Sequence, residues 1–334
     1  MSVSMKGPDA TRRSVLKSVG VGLAGVLTSS LALGSEWSPR TIRFVTQSGP
    51  GDAVDLRLRD FLRSLSPSLK QANCIVENKP GAGGIISIQA VLGLPANGQT
   101  VLLGNAGLTI LPGYFKSLPF SPIRDLTPVA LSGISPNVLM IASSRPEKSL
   151  SEWVRNAKAR RGRMTYASIG SGSLGHLYGY QISEQFGFDA THIAYRGSMP
   201  GLFDLMSGQI DYMMLDVLGA RPFLEKKSVR PLALAFNRRS KFLPEVPTFD
   251  ELGFKSYDRV GWTAYLVKSG TPATIVDTLS AAINAESSTP AWKSKRDLIW
   301  SEWDYMSQSQ LHDLIQSDTA QWGELMKRAN FMAQ

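Results

Sequence analysis

The run Met164–His176, MTYASIGSGSLGH, decides how the rest of the chain is read. MTYAS is strand-like, the glycines and serines after it make a turn, and the residues beyond open an apolar run at helical spacing. A strand passing through a glycine-rich turn into a helix is the building unit of an α/β protein.

The same unit recurs on both sides. Upstream, Thr41–Thr46 is a β-type run, Ser48–Asp55 is a glycine-containing turn, and Leu58, Phe61, Leu62 and Leu65 repeat with helical spacing. Cys74–Glu77 reads as a strand, Pro80–Gly84 as a turn, Ile85–Leu94 as a helix and Thr100–Leu103 as a strand ending at Gly104–Gly107. A new round starts with a strand at Asn137–Ser144 and a helix after Ser149, which has Glu152 three residues on, as a helix cap requires. Downstream, Thr191–Arg196, Ile210–Leu215, Val229–Phe236 and Val260–Lys268 are strand-like. Pro200–Gly208, Ala220–Lys227, Thr274–Ser287 and the region from Gln308 through Phe331 are helical. Alternating strands and helices predict parallel or mixed α/β sheets.

The glycines of the opening run fit several chemistries. Gly170, Gly172 and Gly175 satisfy G-x-G-x-x-G, but the acidic residue that would grip a ribose should end the next strand, and Asp189 precedes that strand. Ser173 and His176 suggest a serine hydrolase, an exported esterase-like enzyme being the rival reading. G-x-S-x-G fails there because residue 171 is Ser, and His176 would share a helix with Ser173. His176, His192 and His312 are scattered without metal-ligand spacing, and His192 reads as a hydrogen-bonded core histidine. What remains is a helix start whose free N–H groups and positive dipole end form an anion site, with Ser168, Ser171 and Ser173 adding hydroxyls. Ser48–Asp55 offers a second such start in the other half of the chain. Two of them facing across a cleft would clamp a small anion without reacting with it.

Composition bounds the rest. The 334 residues suffice for two domains, and 43% hydrophobic with 19% charged residues is a globular profile. Thr11-Arg-Arg-Ser-Val-Leu-Lys17 followed by the weakly apolar 18–34 reads as a signal peptide over residues 1–34, of twin-arginine type. That leader, with Lys6, Arg12, Arg13 and Lys17 against Asp9, holds a third of the formal charge of +9. The remainder is dispersed without aromatic interleaving, so no nucleic-acid partner is expected. The single cysteine, Cys74, excludes an internal disulfide and lies far from a lipoprotein cleavage site.

The segments Ile42–Asp55, Glu77–Gly84, Asn97–Gly107, Pro136–Ile141, Tyr166–Leu177, His192–Asp211, Val229–Ala235 and Val246–Phe254 follow in order the landmarks of a known family. On them the chain resembles the Bug/TctC family, extracytoplasmic solute receptors of tripartite tricarboxylate transporters, and the likeness covers essentially the whole mature chain. The resemblance implies an α/β bilobal periplasmic binding protein of type II-like fold, with lobes at 41–141 plus 259–334 and at 142–258, crossed twice by the chain at a hinge. It implies a periplasmic monomer that takes a small carboxylate, uses no cofactor, performs no catalysis and meets membrane permease subunits; a sensor feeding a membrane kinase would share the pocket. Ligand contacts carried over are Ser48, Gly51, Asp52 and Ala53 in the first loop, Ser168, Gly170, Gly172, Ser173 and His176 in the second, and Asn105, Ala106, Asn137 and Asp216 near the cleft. Gln47, Ser48 and Asp52 depart from the family's first loop, where Pro, an apolar residue and a second Gly are usual. Asp52 is expected either to point away from the cleft or to select a ligand bearing a hydroxyl or ammonium group.

Overall fold

The computed structural model describes residues 37–160, 162–329 and 331. The expected leader at 1–34 lies outside the described residues. In chain order the first lobe begins with β1 (Thr41–Thr46), α1 (Ala53–Leu65), β2 (Asn73–Asn78), α2 (Ile85–Leu92), β3 (Thr100–Asn105), the short α3 (Leu111–Tyr114) and α4 (Pro122–Asp125), and β4 (Leu126–Ser135). The second holds β5 (Asn137–Ala142), α5 (Leu150–Ala159), β6 (Met164–Ser168), α6 (Leu174–Phe186), β7 (Ala190–Ala194), α7 (Ser198–Ser207), β8 (Tyr212–Asp216), α8 (Val217–Glu225) and β9 (Val229–Ala235). The chain then returns through β10 (Gly261–Lys268), α9 (Ala273–Ser287), α10 (Pro290–Leu298) and α11 (Gln308–Arg328).

Two five-stranded mixed sheets result, ordered β2-β1-β3-β10-β4 and β7-β6-β8-β5-β9. In each, three parallel strands are followed by one antiparallel strand that enters from the other lobe: β10 pairs with β3 and β4, and β5 pairs with β8 and β9. Only Pro136 separates β4 from β5, so the first crossing is a single residue. The carboxyl ends of the parallel strands and the amino ends of β5 and β10 consequently meet in one region, where open α/β sheets bind ligands.

Each sheet is covered by helices whose apolar faces match their sequence spacing. Leu58, Phe61, Leu62 and Leu65 of α1 are buried, with Phe61 stacked on Tyr265 of β10 and edge-on to Trp292 of α10. In the second lobe Trp153, Tyr166, Tyr178 and Tyr212 form the aromatic centre. The last helix joins the two: α11 packs along α3 and β4, while Trp322 near its end sits edge-on to Tyr178 of α6.

Strand β4 and helix α10, together with the short α3 and α4, are elements the sequence pattern does not pick out. Pro128 inside LTPVALSGIS argues against a central strand, and β4 is indeed the edge strand of its sheet, where a missing N–H is tolerated. Helix α10 carries Lys293, Lys295 and Arg296 among few apolar residues, so its periodicity is weak, and its burial rests on Trp292.

Candidate functional site

A cavity of about 280 Å3 lies where the strand ends meet. Its walls come from both sheets: Val54 and Arg57 of α1, Asn105–Gly107 after β3, Gly133–Ser135 ending β4, and Gly261–Thr263 opening β10 on one side. On the other are Asn137 of β5, Ile169 and Ser173–Gly175 around the start of α6, and Met214–Asp216 ending β8.

Helix starts dominate this wall. Ser173 caps α6, and Leu174 and Gly175, its first two helical residues, line the cavity; as first-turn residues their N–H groups have no intrahelical acceptor. Asp216 caps α8, taking the Gly219 N–H at 2.8 Å on Oδ1, the oxygen that Ser135 Oγ also reaches at 3.4 Å. Asn105 caps the turn after β3 by accepting from Gly107 N at 2.9 Å. The macrodipole of α6 therefore adds positive potential on the side where its N–H groups lie.

Asn137 is 2% exposed, and its Nδ2 has no hydrogen-bond partner. A buried amide donor left without an acceptor costs about 1–3 kcal/mol, and in Asn137 that donor belongs to a residue of the cavity wall. Two charged side chains line the cavity among the described residues, Arg57 and Asp216. Burial pushes the Asp216 carboxyl up, against the pull of the Gly219 N–H, the Ser135 hydroxyl and the Arg57 charge. Burial likewise lowers the Arg57 guanidinium, which Tyr265 and Asp216 oppose. The carboxyl and guanidinium groups thus face a low-dielectric space in which each is costly to charge alone.

The structure brings Asn105, Ala106, Asn137, Ser173 and Asp216 of the expected residues together in this wall. The other eight lie off it, for identifiable reasons. Asp52 is exposed and turned to its own helix, its Oδ1 accepting from Val54 N and Asp55 N at 3.0 Å each, which is the first of its two expected orientations. With Asp52 occupied as the cap of α1, Ala53 is the exposed first helical residue. Ser48 and Gly51 belong to a loop moored away from the cavity: Ser48 O accepts from Asn78 Nδ2 at 2.9 Å, and Gly51 N donates to Asp55 Oδ2 at 2.9 Å.

In the second loop the remaining four residues hold the turn from beneath. Ser168 Oγ lies 2.7 Å from His192 Nε2 and accepts from Gly170 N at 3.1 Å. His176 Nδ1 accepts from Gly172 N at 3.1 Å, and its ring stacks on His192 with centroids 3.8 Å apart. Gly172 has φ of +75° and lies against the Tyr114 ring, where a Cβ would come within 3.0 Å. Burial, with the neighbouring His192 adding to it, pushes His176 down to about 4, and burial alone does the same for His192. The two imidazoles are neutral at physiological pH and act as a stacked pedestal. His192 is hydrogen-bonded as expected, but it is half-buried on the edge strand β7 and not a core residue. Ser173 Oγ donates to Gly170 O at 2.7 Å, so Ser173 and His176 are not arranged as nucleophile and base.

Arg57 is the residue that sequence reading passed over. It lies one turn before Phe61 on α1, beside Val54 and Leu58, so a cation stands on the stripe that faces the protein interior. That position within an apolar stripe was the available signal. Among the described residues no helix is long and apolar enough to cross a membrane.

Comparison with known proteins follows the same lines. The profile of the tripartite tricarboxylate transporter family receptor matches residues 58–331. A UPF0065 protein encoded in a tcbD-tcbE intergenic region of Pseudomonas sp. strain P51 is 31% identical over 97% of both chains. Among solved structures, R. palustris Rpa4515 with adipate superposes with a TM-score of 0.77 at 26% identity, over 90% of this chain and all of the other. MatC from Rhodopseudomonas palustris with bound malate gives 0.72 at 26% identity, over 86% and 98%. The periplasmic binding protein BugD shares the fold as well, at 0.73 and 26% identity over 89% and 100%.

Proposed function

The chain belongs to the tripartite tricarboxylate transporter receptor family, whose members are periplasmic solute-binding receptors and not enzymes, and on that premise we propose that it captures a small mono- or dicarboxylate between its lobes. The observation that carries the ligand class is Asn137 Nδ2, a buried donor without an acceptor in a cavity that also receives the start of α6. A carboxylate oxygen supplies that acceptor and gains the Leu174 and Gly175 N–H groups; Asn105, Ala106, Ser173 and Asp216 complete the contact set. Adipate and malate in the two solved relatives are ligands of this chemistry.

The lobes divide at the Pro136 crossing, so that residues 137–141, expected with the first lobe, move with the second because β5 is paired into its sheet; 41–135 plus 259–334 moves against 137–258, hinging there and at the return before β10. Closure on the ligand presents the surface that membrane permease subunits read, and the receptor works as a monomer. Export uses the twin-arginine signal of residues 11–17. Replacing Arg12 and Arg13 by lysine should leave the precursor in the cytoplasm, and continued appearance in the periplasmic fraction would refute that route.

The ligand reading is tested by a thermal-shift panel of mono- and dicarboxylates, amino acids and aromatic acids, followed by calorimetry. A carboxylate at 100 times its dissociation constant should stabilise the fold by about 2.7 kcal/mol, with no turnover. Silence from every carboxylate, with a response from an uncharged solute, would sink the carboxylate reading.

A further inference from the structure

Arg57 has a companion of the same charge. A small cleft of about 20 Å3 adjoins the ligand cavity on the first-lobe side, sharing Arg57 and Ser301 with it, and Arg296 of α10 forms part of its wall beside Tyr265 and Ser132. Arg296 is 8% exposed, and its guanidinium lies 5.0 Å from the centroid of the Trp303 ring. Among the described residues neither guanidinium group has a hydrogen bond or an ion-pair partner.

This is an unusual use of two arginines. A guanidinium carries five donors, and two such groups lining adjoining clefts without a protein acceptor leave those donors to solvent or to an incoming anion. Asp216 acts on Arg57 only through its charge, without a hydrogen bond between them, and its Oδ1 is shared by Gly219 N and Ser135 Oγ. The Trp303 ring attracts the Arg296 charge, but it accepts no hydrogen bond in the guanidinium plane. A space of this size admits about one water-sized group, which suits an oxygen of a carboxylate seated at its mouth.

We propose that Arg57 and Arg296 form an anion subsite for the distal carboxylate of an elongated ligand, making this protein a receptor that prefers dicarboxylates to monocarboxylates. The inference rests on the carboxylate-receptor reading and adds the second pole of the ligand. The first carboxylate binds Asn137 and the start of α6 in the second lobe, and the second binds Arg57 in the first. A dicarboxylate so seated ties the lobes together through its own carbon chain, whereas a monocarboxylate leaves the arginines unmatched.

The test is calorimetric titration of the exported protein with adipate and hexanoate, and with succinate and butyrate, repeated on Arg57→Gln, Arg296→Gln and Arg57→Lys. The better-fitting dicarboxylate should bind at least about tenfold more tightly than its matched monocarboxylate, as expected for a charge-assisted pair out of water. Arg57→Gln should erase that preference, lowering dicarboxylate affinity at least about tenfold more than monocarboxylate affinity, Arg296→Gln should reduce it, and Arg57→Lys should restore part of it. Melting curves of each variant without ligand check that the fold is kept, and the lysine variant stands in if the glutamine one fails to fold. Equal binding of mono- and dicarboxylates by the natural protein overturns the subsite while the receptor reading stands. A preference that survives Arg57→Gln overturns it too, as does Arg57-dependent stabilisation by chloride alone without such a preference. Failure of every carboxylate to bind removes both readings.

Discussion

Replacing Asp55 by asparagine should weaken the fold at neutral pH and make no difference in strong acid. Asp55 is 1% exposed and accepts from Gly51 N at 2.9 Å, Asn78 Nδ2 at 2.8 Å and Arg59 Nε at 3.0 and 3.1 Å. Arg59 closes the ring by donating to Asn78 Oδ1 at 3.0 Å, and Asn78 holds Ser48 O. The Arg59 hydrogen bond foremost, against the cost of burial and with help from Gly51 and Asn78, holds the Asp55 carboxyl down to about 2, against an ordinary 3.8. That gap corresponds to about 2.5 kcal/mol at most, and since the Arg59 side chain is 42% exposed, screening leaves about 1–2 kcal/mol. Because the carboxyl is more acidic in the folded state, this stability is fully present above about pH 4 and is lost as pH falls through 2. Urea unfolding of both proteins from pH 7 down to pH 2 measures the difference directly. Asp55→Asn should have the lower midpoint at pH 7, and the two curves should converge near pH 2. An equal gap at both ends of the range would show that shape, and not charge, carries the effect, and no gap at pH 7 would refute the network's contribution.

Three other outcomes can be checked with the same protein. Asn137→Ala should lower carboxylate affinity about ten- to a hundredfold by calorimetry, yet leave the ligand-free melting temperature unchanged or raised, because the deleted donor has no partner to lose. Asp318, raised by burial to about 6 while accepting from Trp262 Nε1 at 3.0 Å, contributes stability that is complete below about pH 4 and lost as pH rises through 6. Asp318→Asn keeps an acceptor for Trp262 and should flatten that dependence, adding about 1–3 kcal/mol at pH 8 in urea titrations. Gly175→Ala would place a Cβ 2.5 Å from the Met214 carbonyl and push α6 from β8; a loss of about 1–3 kcal/mol and a marked fall in ligand affinity are expected.

The fold was legible because its information is local and repeated. Strand, glycine turn and apolar helix follow one another from Thr41 to Phe186, and ordered family landmarks supply the connection between units. The site was only partly legible, since a glycine-rich helix start states where an anion could bind but not which neighbouring atoms face it. Asn105, Asn137 and Asp216 stand at strand ends, where topology alone delivers them to the cavity. Asp52 and His176 carry side chains as suited to a ligand as to the backbone beside them, and the structure shows them satisfied by Val54, Asp55 and Gly172. Arg57 was hidden for the opposite reason: a helix is read by its apolar residues, and a cation among them passes for a solvated neighbour unless the partner surface is known.

The position of β10 also sets an order of assembly. It lies between β3 and β4, yet it follows them in the chain by more than a hundred residues, with all of β5 to β9 in between. The second sheet is contiguous in sequence and can close on itself early, while β3 and β4 must wait for a strand made last to bridge them. During synthesis and refolding, the open edges of β3 and β4 are the surfaces most exposed to mispairing, and a chain truncated before Gly261 would carry a finished second sheet beside an unfinished first one.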